Sequence, residues 1–233
     1  VTLLAIAATV SLALILGALW ALYGRLGDRT EGFVLAAGGG ALMFSAVLEL
    51  IVPAQESISL TATGLTLMIG AGTFALIDYL IDKRWGDEGG VGFLAAATLD
   101  GVPENLALGV ALIGAGFWDV AGLAGAIFLS NVPEGASGAK GMHAIGWTRG
   151  RILAIWLGTA LFLVVAAVAG NLLFRNAPQE YLVLMRVFAG GAIIAALATE
   201  IFPKAYRRDH QMAGIATALG LLAALVLIHS MAD

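Results

Sequence analysis

The chain has 233 residues, of which 60% are hydrophobic and 12% charged, with a formal net charge of −4 and a mean hydropathy of +0.95. Soluble domains carry about 25% charged residues, so this composition excludes a soluble fold and points to an integral membrane protein. With no cysteine there is no disulfide, thiolate metal site or cysteine nucleophile, and the mild acidity offers no basic face to nucleic acid.

A membrane span needs about 20 apolar residues. That rule predicts eight spans, at 2–24, 32–53, 62–82, 91–114, 119–142, 150–174, 182–203 and 211–231. The first lacks a basic leader region and a small-residue cleavage pattern, so it is read as a retained span. The second ends on Leu48-Glu49-Leu50-Ile51-Val52-Pro53, with Glu49 near the outer end and Glu56 just beyond it. The third carries Asp78 toward its inner end, and the longest polar insert, Asp82 to Gly90, follows it. Short connections and the lack of residues for a soluble domain make 1–233 one transmembrane domain, an all-α bundle of neighbouring helices.

The fourth and fifth spans contain Asp100-Gly101-Val102-Pro103-Glu104 and Ser130-Asn131-Val132-Pro133-Glu134. A proline inside a helix removes one donor and frees the carbonyl four residues earlier, here Leu99 and Leu129. That oxygen needs a protein-lined or watery cavity at membrane depth. Residues i and i+4 share a helix face, so Asp100 aligns with Glu104 and Ser130 with Glu134. If the two stripes face each other, three carboxylates, the Ser130 hydroxyl, the Asn131 amide and the freed carbonyls surround one spot. Clustered carboxylates stay ionised there only with a cation, or become neutral with protons. A divalent cation is the expected guest, and intramembrane acids mark a functional site by default.

The sixth span is apolar. The seventh ends on Thr199-Glu200-Ile201-Phe202-Pro203, much as the second ends on its Glu-Pro run. This likeness suggests an inverted repeat of spans one to three against six to eight, a transporter signature when broken helices meet near the midplane. Glu49, Glu56, Asp78 and Glu200 then extend the central acids into a path across the membrane. Arg186 and Lys140 are expected to snorkel to the interfaces, and His143, His210 and His229 to lie at helix ends away from the central site.

Basic residues set the orientation. Arg25, Arg29, Lys83, Arg84, Arg149, Arg151, Lys204, Arg207 and Arg208 follow the odd-numbered spans, whereas the other loops carry only Arg175. Both termini are therefore expected outside the cytoplasm, in a bacterial-type inner membrane.

Through Leu99 to Gly109, Leu129 to Gly135 and Thr199 to Pro203, the chain resembles the ZIP (Zrt/Irt-like) family of divalent metal transporters along essentially its whole length. The resemblance implies eight helices in a three, two and three arrangement, metal sites between helices four and five, a path in near helix two and release near helices three and seven. The chain departs from the family pattern at Asp100-Gly101, where His-Asn is usual, and at Ser130, where a strong ligand such as His is common. Asn131 replaces a common carboxylate, and around Leu163 helix six offers no acid, which argues against a two-metal centre.

The expected function is transport of a divalent metal toward the cytoplasm, with Asp100, Glu104, Ser130, Asn131 and Glu134 as ligands and Glu49, Glu56, Asp78 and Glu200 along the path. Oxygen ligands without imidazole favour Mn²⁺, Fe²⁺ or Mg²⁺, with Zn²⁺ still acceptable. The partners are the metal and the bilayer, with no nucleic acid; a homodimer stays an open alternative. Two other readings are a proton-coupled or monovalent-cation carrier and a non-transporting metal sensor. An intramembrane hydrolase is disfavoured because the Gly-x-Gly-Asp run of the intramembrane aspartyl proteases is missing.

Overall fold

The computed structural model describes residues 2–85 and 90–232, and the middle of the expected polar insert, residues 86–89, lies outside them. Among the described residues there is no strand, and the helices form eight rods. They are α1 (Thr2–Tyr23), α2 (Asp28–Glu56), α3 (Leu60–Trp85), α4 (Gly90–Ala111), α5 (Ala121–Ala144), α6 (Arg149–Phe174), α7 (Gln179–Arg208) and α8 (Ala213–Ala232). Among the described residues six of them, α1, α2, α3, α6, α7 and α8, are long and apolar enough to cross a bilayer. The chain is a multi-pass helical membrane protein.

Two rods are longer than their apolar runs predict. In α2 the start moves back to Asp28, and in α7 the end moves on to Arg208, because the charges at these ends pair with one another. Lys140 on α5 donates to Asp28 at 2.6 Å and to Glu31 at 2.8 Å, and Arg208 reaches the same two carboxylates at 3.2 Å each. Lys140 therefore does not snorkel freely; it binds the start of α2. On the same basic end, Arg149 stacks over Tyr23 at 4.9 Å and Arg151 over Trp147 at 3.9 Å. Such aromatic and cationic pairs suit a membrane interface.

The proline-bearing helices are not the broken ones. Pro103 and Pro133 lie inside continuous α-helix. The interruptions fall instead in α2 and α7, where Ala46–Ile51 and Leu197–Ile201 are π-helical turns. An extra residue per turn leaves carbonyls and side chains out of α-register, and such bulges concentrate at functional sites. Glu49 sits in one and Glu200 in the other.

Packing follows small residues. In lipid there is no hydrophobic force between helices, so close backbone approach supplies the attraction. A Cβ added at Gly40 would come within 2.1 Å of the Thr217 carbonyl oxygen on α8, and one at Gly191 within 2.1 Å of the Leu67 carbonyl oxygen on α3. Gly135 on α5 meets Leu14 on α1, and Gly109 on α4 meets Ala167 on α6, with equal closeness. The principal neighbours are α1 with α5 and α6, α2 with α8 and α5, α3 with α7, and α4 with α6 and α7. The outer faces of α1, α3, α6 and α8 expose leucines such as Leu12, Leu65, Leu161 and Leu222 to the surroundings. α2 and α7 are more than half buried, whereas α3 and α8 are less than a quarter buried.

Candidate functional site: a layer of buried carboxylates

On α4 the i, i+4 spacing turns Asp100 and Glu104 inward, each 3% exposed, and on α5 it turns in Ser130 at 2% and Glu134 at 8%. Asn105 and Asn131 beside them are fully buried. The charges of Glu134 and Glu104 reach each other, as do those of Asp100 and Glu134, so the carboxylates of both helices share one electrostatic environment. Asp100 Oδ1, Glu104 Oε2 and both oxygens of Glu134 are buried with no hydrogen-bond partner. A buried polar atom left unpaired costs about 1–3 kcal/mol, and more if it is charged. Four such oxygens in one layer make a site that a proton or cation would stabilise.

The neutral polar side chains of the layer are arranged differently from one another. The Ser130 hydroxyl donates to the Ile127 carbonyl at 3.0 Å, which keeps its lone pairs free to accept. Asn131 donates its amide across to Val10 on α1 at 3.2 Å, and its Oδ1 stays unpaired. Asn105 donates back to Gly101 at 2.9 Å, again with a free Oδ1. The carbonyl of Leu129, released by Pro133, lies against Gly38 of α2, where an added Cβ would come within 2.8 Å.

α7 closes the layer. Glu200, 9% exposed, lies within Coulombic reach of Asp100 and Glu134, and Asp78 on α3 faces Glu200. Lys204, one turn after Glu200, donates to its Oε2 at 2.5 Å, and its charge also acts on Asp100 and Glu134. The sequence places Lys204 among the basic residues that follow the seventh span. It is instead helical and turned toward the acids. The i, i+4 rule that aligned Asp100 with Glu104 pairs Glu200 with Lys204 equally well, so the signal was present in the sequence.

The remaining path residues do not join this layer. Glu49 accepts from the backbone N–H of Leu123 at 3.0 Å, in the first turn of α5, where the helix dipole favours a carboxylate. Its second oxygen is buried and unpaired, against Gly122. Glu56 is exposed at the end of α2. Arg186 turns inward rather than to the surface, with one guanidinium nitrogen 3.5 Å from the Val110 carbonyl and its Nε buried and unpaired.

Among the described residues, no three His, Cys, Asp or Glu side chains converge as a ready-made metal cage. The acids share a layer without closing on a single point. No family model matches the chain, and no curated protein matches its sequence. What composition and fold define is the class: a multi-pass, all-helical membrane protein with buried acids on its central helices.

Proposed function

We propose that this protein is a carrier of a divalent metal cation of the ZIP type, moving its cargo toward the cytoplasm between α4 and α5. The observation that carries the reading is the set of unpartnered, buried carboxylate oxygens on Asp100, Glu104 and Glu134. Hydrocarbon depth disfavours free carboxylates, and a dication supplies the missing charge with oxygen coordination alone. Ser130 and Asn131 would complete the ligand set with neutral oxygens. Asp78 and Glu200 would take the ion on release, and Glu49 would stand at the opposite mouth.

The packing supports a three, two and three arrangement with an inverted repeat. Exchanging α1 with α6, α2 with α7, α3 with α8 and α4 with α5 turns the α1–α5 contact into α6–α4, and the α2–α8 contact into α7–α3. Gly39-Gly40-Ala41 ends ten to eight residues before Glu49, and Gly190-Gly191-Ala192 stands at the same distances from Glu200. Gly39 faces Ile201 and Phe202, and Gly190 faces Leu50 and Ile51, so the two π turns pack reciprocally on each other's glycines. Alternating access is then a movement of α4 and α5 against paired halves.

Uptake of Mn²⁺, Fe²⁺ or Zn²⁺ into proteoliposomes tests the reading. The parent protein is expected to accumulate at least one of these ions, and a variant combining Glu104→Ala with Glu134→Ala to accumulate none. Equal uptake by the two would remove the site. A second reading, a proton or monovalent-cation carrier, is favoured by the acids not closing into a cage; flux driven by a pH gradient without any divalent ion would establish it.

A further inference from the structure

The acid layer already contains one positive charge of its own. Lys204 projects from α7 with its side chain 38% exposed, while the Glu200 side chain that it grips is only 10% exposed. Paired with the buried Glu200, the ammonium stands at the edge of the buried layer. Its field reaches three acids on three helices: Glu200 on α7, Asp100 on α4 and Glu134 on α5. A lysine ammonium is a compact, rotatable point charge on a flexible stem, well suited to stand where a small cation stands and then to leave.

Resting on the carrier reading, we infer that Lys204 is a tethered competitor of the transported cation: its ammonium occupies the inner face of the acid layer when cargo is absent and must swing away when cargo binds there. The consequence is an affinity set below the intrinsic one. When the binding-competent state is populated only to a fraction f, the apparent Kd rises by 1/f. Cargo arriving from Glu104 and Glu134 meets the ammonium at Glu200, and passes toward the basic end only once the ammonium has swung aside. Lys204 so acts both as a specificity element, not displaced by monovalent ions no stronger than itself, and as a gate on the release side.

The experiment is equilibrium Mn²⁺ binding to the full chain in lipid nanodiscs. Lys204→Met and Lys204→Gln, which keep the stem and remove the charge, are expected to bind Mn²⁺ about tenfold more tightly, the factor for a competent state near a tenth populated. Lys204→Arg restores the charge and is expected to return affinity toward the parent's, which a purely structural role of the stem would not produce. In the parent, amine-directed labelling read by mass spectrometry should rise several-fold at Lys204 when Mn²⁺ replaces chelator. Unchanged or weaker Mn²⁺ binding in both neutral variants, or labelling of Lys204 indifferent to Mn²⁺, overturns the inference. The variant with Glu104→Ala and Glu134→Ala separates the two levels: if it binds Mn²⁺ like the parent, the carrier site itself is wrong; if it loses binding, only the role of Lys204 is in question.

Discussion

Two kinds of buried acid coexist in this protein, and their partners distinguish them. Glu31, 1% exposed, is held by Lys140 and Arg208, whose side chains remain 33% and 39% exposed. It is a fastening for the ends of α2, α5 and α7. Glu104 and Glu134 are as deeply placed but have no such partner, and so they are the ones open to a ligand. Removing the first kind should cost stability. Breaking a buried pair costs about 3–5 kcal/mol, and screening of the half-exposed cations brings the expected loss for Glu31→Ala down to about 1–3 kcal/mol. A thermal melt in detergent should show it as a lower transition, with Glu31→Gln falling between Glu31→Ala and the parent. A melting temperature equal to the parent's would mean that Lys140 and Arg208 do no fastening. Asn105 belongs with the open kind: its amide oxygen is buried and free beside Glu104, and it was passed over in sequence because it is neither acidic nor aligned at i+4.

Among the elements, glycines decide which helices can touch. Gly40→Ala and Gly191→Ala each drive a Cβ to within 2.1 Å of a backbone carbonyl that cannot rotate away. Each is expected to destabilise the bundle by about 1–3 kcal/mol, the usual cost of overpacking, and two such effects of equal size would reflect their matching positions in α2 and α7. Gly158→Ala on α6, which meets nothing within 4 Å, is the comparison. It should leave the melting transition unchanged or raise it, since alanine is the better helix former by about 1 kcal/mol. The elements also show what sequence patterns reach. Apolar runs of membrane length gave the number of helices and their approximate bounds, and the i, i+4 rule turned Asp100, Glu104, Ser130 and Glu134 inward correctly. The π turns at Glu49 and Glu200 were not legible, because an added residue within a uniformly apolar helix leaves no periodicity to break. Nor were the extended ends of α2 and α7, where Asp28, Glu31 and Arg208 pair with one another and with Lys140 across long sequence separations. Proline misleads in the other direction: Pro103 and Pro133 read as breaks, yet both lie within unbroken α-helix, the loss of one donor being tolerated inside a packed bundle.

For the whole molecule, the distribution of charge assigns a sidedness that can be tested without disturbing the site. The Lys140 and Arg208 network, Arg149 over Tyr23 and Arg151 over Trp147 all gather at one end, which the retention of Lys and Arg on the cytoplasmic side predicts to be the inner one. The inferred direction of transport depends on this, because Asp78, Glu200 and Lys204 lie on the basic side of the acid layer and Glu49 on the other. With no native cysteine, any introduced thiol is the only one in the sequence. Ser57→Cys, in the exposed link after α2, and Ala144→Cys, exposed at the end of α5, stand at opposite ends of their helices relative to the basic cluster. In intact cells a membrane-impermeant maleimide should label Ser57→Cys fully and Ala144→Cys only after permeabilisation. The reverse pattern would turn the molecule over in the membrane, making Glu200 the outer acid and Glu49 the inner one, and Lys204 would then guard loading instead of release. Labelling of both in intact cells would put the two links on one side and overturn the proposed alternation of eight spans.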